Sequence, residues 1–105
     1  MMNKEKKQKE KSGRRVQKEI GKSVEFTFHA SEAMEVYLAG EFNQWDNSSL
    51  PMKKDTEGIW KTTVKLPPGR FEYKLFVDNI WVENIPGVEM APNPFGTNNF
   101  VLWVK

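Results

Sequence analysis

The sequence predicts an all-β chain, an antiparallel immunoglobulin-like β-sandwich behind a basic amino-terminal tail. Three observations carry that expectation. From Ser23 onward, apolar side chains recur at every second position, the spacing that lines one face of a strand. Turn-forming residues, above all Pro67-Pro68-Gly69 and Asp78-Asn79, punctuate the apolar runs at short intervals. No segment carries a convincing helical period, and short strands joined by such turns build sandwiches.

The tail comprises residues 1–22. It holds nine Lys or Arg against three Glu, a net charge of +6, whereas the other 83 residues hold seven basic against eleven acidic groups, a net of −4. So polar a segment cannot offset its ordering entropy by burial, which predicts disorder or partial helix. Contact with nucleic acid or an anionic membrane through this tail is not expected. Glu5, Glu10 and Glu19 interrupt its positive charge, and it has no aromatic side chain to stack on a base.

The folded domain is expected over 23–105. Val24, Phe26 and Phe28 alternate with Glu25 and Thr27 in a first strand, and 29–33 form a connection that includes His29. A second strand follows over 34–39. The run 59–66 sets Trp60, Thr62, Val64 and Leu66 on one side, and after the proline turn 70–77 sets Phe71, Tyr73, Leu75 and Val77 on one side. Asp78 and Asn79 both tolerate positive φ, which suits a two-residue hairpin turn. Residues 83–98, rich in Pro and Gly, read as a long surface loop, and loops of that length are usually functional or disordered. A last strand spans 100–104.

Two aromatic residues stand apart from the core pattern. Trp45 lies in Asn43-Gln44-Trp45-Asp46-Asn47, among polar neighbours only, so it either stands on a loop surface or folds back over one end of the sandwich. Trp81 follows the Asp78-Asn79 turn and by itself is an ordinary strand aromatic. Trp60 is in phase with the core. Trp103 is out of phase with Phe100, Leu102 and Val104, so it is expected to be partly exposed, in packing or at a partner interface. Lys74 lies opposite Phe71, Tyr73, Leu75 and Val77, so its ammonium points away from the core.

Val36–Trp45, Tyr73–Trp81 and Gly96-Thr97-Asn98-Asn99 together resemble the glycogen-binding domain of the AMP-activated protein kinase beta subunit, a family 48 carbohydrate-binding module. The resemblance spans about 23–105 and implies the early set variety of the sandwich. It implies stacking of Trp45 and Trp81 on glucose rings. It also implies hydrogen bonds from Lys74, Thr97 and Asn99 to sugar hydroxyls, and a Leu-like reach of Phe95 past the ring. Asn79 replaces a customary Gly and Asn98 a customary apolar residue. The implied ligand is α-1,4-glucan such as glycogen, starch or a maltooligosaccharide.

A binding module that is not an enzyme is expected, with neither cofactor nor metal. No pair of carboxylates, Ser/His/Asp set or phosphate loop is legible, and His29 has no second metal ligand near it in sequence. The other expectation is an interaction module of the same fold that recruits a glycogen-metabolism enzyme. The resemblance stops before the segment by which the kinase subunit meets its partners, so no kinase complex is expected. Absence of cysteine and of an apolar leader or span predicts a soluble, cytoplasmic protein.

Overall fold

A computed structural model describes residues 21–105. The tail expectation for 1–20 lies outside these residues. Among the described residues eight strands form in chain order: β1 (Lys22–His29), β2 (Val36–Gly40), β3 (Lys53–Lys54), β4 (Ile59–Leu66), β5 (Gly69–Val77), β6 (Ile80–Trp81), β7 (Met90–Pro92) and β8 (Asn98–Val104). A 3-10 turn, Glu41–Asn43, follows β2.

Two antiparallel sheets face each other. One has the order β1-β4-β3, the other β2-β5-β8-β7 with β6 added beside β5. The all-β sandwich is therefore present, and its long strands lie where the period-two runs place them. The differences lie at strand ends and in short segments: β2 runs over Val36–Gly40 rather than the expected 34–39, and β8 opens at Asn98 rather than at the expected 100. β1 opens at Lys22 and keeps His29 as its last residue, paired with Ile59, so His29 is not in the connection. β3 and β6 are two residues long, too short to leave a period. The expected loop 83–98 contains β7, whose pairing with β8 was illegible because Met90-Ala91-Pro92 shows no alternation.

The inward phase of both sheets builds the core. Phe26, Val36, Leu38, Trp60, Leu66 and Leu75 are buried together with Met52. An aromatic chain ties the sheets: the Phe26 ring meets Tyr73 edge-on at 5.1 Å, and Tyr73 meets Phe100 at 5.6 Å. Such pairs contribute about 0.5–1.5 kcal/mol beyond the area they bury. Trp60 satisfies its buried indole by donating from Nε1 to the Ala30 carbonyl at 2.9 Å.

Strict alternation fails where the outer face of the larger sheet is also covered. Lys74 and Leu75 are adjacent yet both buried, as are Asn99, Phe100 and Val101. A strand buried on both faces requires a second layer, and over Lys74 and Asn99 that layer is the turn 93–97, which bonds to both.

Gly40 joins the fold to the loop that follows. Its backbone is extended, at φ −166°, so any residue could adopt it. What demands glycine is proximity: a Cβ there would lie 2.6 Å from the Phe42 ring and 2.9 Å from the Glu72 carbonyl oxygen. Gly40→Ala is expected to lower stability by about 1–3 kcal/mol, the usual cost of overpacking, read as a lower urea midpoint with unchanged slope.

Candidate functional site

Trp45 owes its position to a clamped turn. Phe42 on the 3-10 turn inserts between the sheets, its ring 5.6 Å from Phe26 and 6.4 Å from Phe71. Asn43 closes the loop: its Oδ1 accepts from the Gly40 N–H at 2.9 Å, and its Nδ2 donates to the Asp46 carbonyl and to Ser49 Oγ, both at 3.0 Å. The chain then turns through Gln44 and Trp45, both left-handed at φ 56° and 59°. Each such residue costs on the order of 1 kcal/mol relative to ordinary backbone, so the surroundings must hold it there. The result is an indole that remains 37% exposed.

Trp81 arrives by a different route. Asp78 and Asn79 form a two-residue hairpin turn with φ 49° and 68°, and β6 pairs back on β5 so that Trp81 stands opposite Phe76. The two rings lie 4.7 Å apart, which fixes the indole against the sheet. Asp78 also anchors the neighbouring chain, its Oδ1 accepting from the N–H groups of Met34 and Glu35.

Between the two indoles opens a hollow of about 460 Å³, lined by Trp45, Lys74, Trp81, Glu83, Asn93, Pro94, Phe95, Thr97 and Asn99. All six residues singled out in the sequence line it. Their chemistry is distributed as an apolar rim over a polar floor. Phe95 is the most open, at 87% exposure, on the far rim.

The floor is held more tightly than the sequence suggested. Lys74 points to the outer face as expected, but its side chain is only 9% exposed because the covering segment lies over it. Its ammonium donates to the Asn98 carbonyl at 2.9 Å and, more weakly, to Thr97 Oγ1 at 3.4 Å. An ammonium has three N–H donors, so one remains for a ligand. Asn99, 8% exposed, is engaged at both ends: its Oδ1 accepts from Asn93 Nδ2 at 2.9 Å and its Nδ2 donates to Glu72 Oε1 at 2.8 Å. One lone pair and one N–H of that amide are left over.

Asn93 is the residue that sequence reasoning missed. Its Nδ2 also donates to Thr97 Oγ1 at 2.8 Å, and its Oδ1 accepts from the N–H groups of Phe95 and Thr97. It therefore shapes the whole 93–97 turn. Asn followed by Pro is a turn signal, and that was the available clue. Glu83 and Pro94 were missed as well, with no signal of their own beyond membership of a long loop.

Glu72 extends the floor outward. It accepts from Asn99 and, through Oε2, from Arg70 Nη1 at 2.8 Å. Those hydrogen bonds, Asn99 first, hold its carboxyl below the usual range against the opposite push of burial.

The family model for carbohydrate-binding module 48, the isoamylase N-terminal domain, matches residues 11–101. The chain belongs to this carbohydrate-binding family. Among curated proteins, the module is 37% identical over 71 residues to 5'-AMP-activated protein kinase subunit beta-1 of Homo sapiens and of Rattus norvegicus. It is 34% identical over 71 residues to subunit beta-2 of Mus musculus. Each match covers 68% of this chain and 25% of the relative, so the module spans about a quarter of the length of these proteins.

A titration follows from Glu72. A carboxyl whose folded pKa is depressed adds stability above its unfolded value, about 4.3, and loses it as pH falls through the folded value. Wild type is therefore expected to lose more stability than Glu72→Gln on acidification below about pH 4.3, measured by urea unfolding across that range. The difference will be modest, because the Arg70–Glu72 pair is partly solvated.

Proposed function

We propose that the module binds α-1,4-linked glucan, such as glycogen, starch or a maltooligosaccharide, without transforming it. The observation that carries this reading is the pairing of two ring faces with a hydrogen-bonding floor inside one open hollow. A pyranose offers C–H groups on its faces and hydroxyls around its edge. Indoles at Trp45 and Trp81 meet the faces of successive rings, gaining from area burial and weak C–H to π attraction. Lys74, Thr97 and Asn99 meet the hydroxyl edge and fix the chain's register. Phe95 closes the rim with an apolar edge.

The charge balance of the hollow supports a neutral ligand. Lys74 supplies one positive charge and Glu83 one negative charge, so neither an anionic nor a cationic guest is strongly favoured. Bond cleavage by paired acids needs two carboxylates across the reacting bond, roughly 5–9 Å apart, and among the described residues Glu83 is the one carboxylate on the lining.

Two stacked rings and a few solvent-competed hydrogen bonds give weak binding, on the order of 1 μM to 1 mM per site. Branched polysaccharide raises the apparent affinity where several copies reach it. In a native gel containing glycogen, wild type is expected to be retarded and the double variant Trp45→Ala, Trp81→Ala to run freely. Equal mobility of wild type with and without glycogen would reject the reading. Recovery of a glycogen-metabolism enzyme from lysate that is indifferent to added maltoheptaose would favour the recruiting role instead.

A further inference from the structure

Trp103 lies outside the hollow, yet on the same outer sheet face. It is 61% exposed, which is unusual for a tryptophan within a paired strand segment. Its ring is not loose. Nε1 donates to Glu89 Oε1 at 2.8 Å, and the Arg70 guanidinium lies 5.9 Å from the ring centroid. Arg70 is the direct cross-strand partner of Trp103 and also the donor to Glu72. A continuous line of contacts thus joins this indole to the floor of the hollow: Trp103, Arg70, Glu72, Asn99.

The distance suits a chain ligand. Asn99 and Trp103 stand on the same face of β8, four residues apart, which is about 13 Å at the usual strand rise. A few consecutive pyranose rings cover that span. The platform itself has the dimensions of one sugar: a single, largely exposed indole with a guanidinium standing over it and a carboxylate at its Nε1 edge. A protein partner of ordinary affinity needs about 800 Å² of surface per side, far more than one indole flanked by two charged groups provides.

We propose that Trp103 is a further glucan subsite, a stacking platform for a ring beyond those held in the hollow, with Arg70 and Glu89 as hydrogen-bonding groups for its hydroxyls. The proposal rests on the reading that the hollow binds α-glucan, and it makes the module select for longer chains. The guanidinium also fixes the ring orientation in advance, so little conformational freedom is lost on binding.

The test compares maltotriose with maltoheptaose by isothermal titration calorimetry, using wild type, Trp103→Ala and Trp103→Tyr. Wild type is expected to prefer maltoheptaose. Trp103→Ala is expected to remove about three- to tenfold of that preference, in keeping with the ~1 kcal/mol scale of a stacking contact. Trp103→Tyr, which keeps a ring, is expected to retain most of it. Circular dichroism of each variant confirms that the sheet is intact. If wild type binds both sugars and Trp103→Ala keeps the full length preference, the subsite is rejected while the glucan reading stands. If wild type binds neither sugar, both fall together.

Discussion

The hollow exists because one polypeptide segment is folded back over the outer face of the five-stranded sheet and tied down there. Lys74 and Asn93 make the tie. The lysine enters from the sheet and spends two of its donors on Asn98 and Thr97. Asn93 enters from the segment and bonds to Thr97 and Asn99 as well as to the backbone of its own turn. A largely buried polar network of this kind is rigid only when its members are satisfied together. Ala39, fully buried opposite Lys74, adds the necessary room, since a larger side chain in that register would compete with the lysine stem.

The two indoles that flank the hollow are positioned by unlike means. Trp81 rides on a regular ladder, placed by a tight turn and braced by Phe76. Trp45 depends on two left-handed residues in succession, a conformation that local sequence disfavours. What offsets that cost is the insertion of Phe42 between the sheets and the closure of the loop by Asn43. The exposed Trp45 is thus the outward end of a lever whose inward end is part of the core. Both rings are set by the fold itself.

The outer face beneath the hollow and the core share the same strand. Along β5, Phe71, Tyr73, Leu75 and Val77 pack inward while Arg70, Glu72, Lys74 and Phe76 supply the outer surface. Tyr73 meets Phe26 and Phe100 on the inner side, so the middle of β5 has little freedom to shift. That rigidity passes to Glu72 and Lys74, its immediate neighbours. Charged groups on the opposite side therefore inherit positional accuracy from aromatic packing they do not touch.

Alternation of side chains was enough to read the sandwich, its four longest strands and the inward phase of Phe26, Trp60, Leu75 and Phe100, because a strand's two faces are a local property of the chain. The hairpin at Asp78 and Asn79 was equally legible, since both residues accept the left-handed region without help. The six singled-out residues around the hollow were found through motif resemblance combined with their polar or out-of-phase settings. The burial of Lys74, the organising role of Asn93, strand β7 and the line from Asn99 to Trp103 were not legible. Each depends on residues far apart in sequence being brought within hydrogen-bonding distance, as with Asn99 and Glu72 across β8 and β5. No periodicity encodes such a meeting. Which face of a strand a residue occupies is written locally; what covers that face is decided only when the chain returns to it.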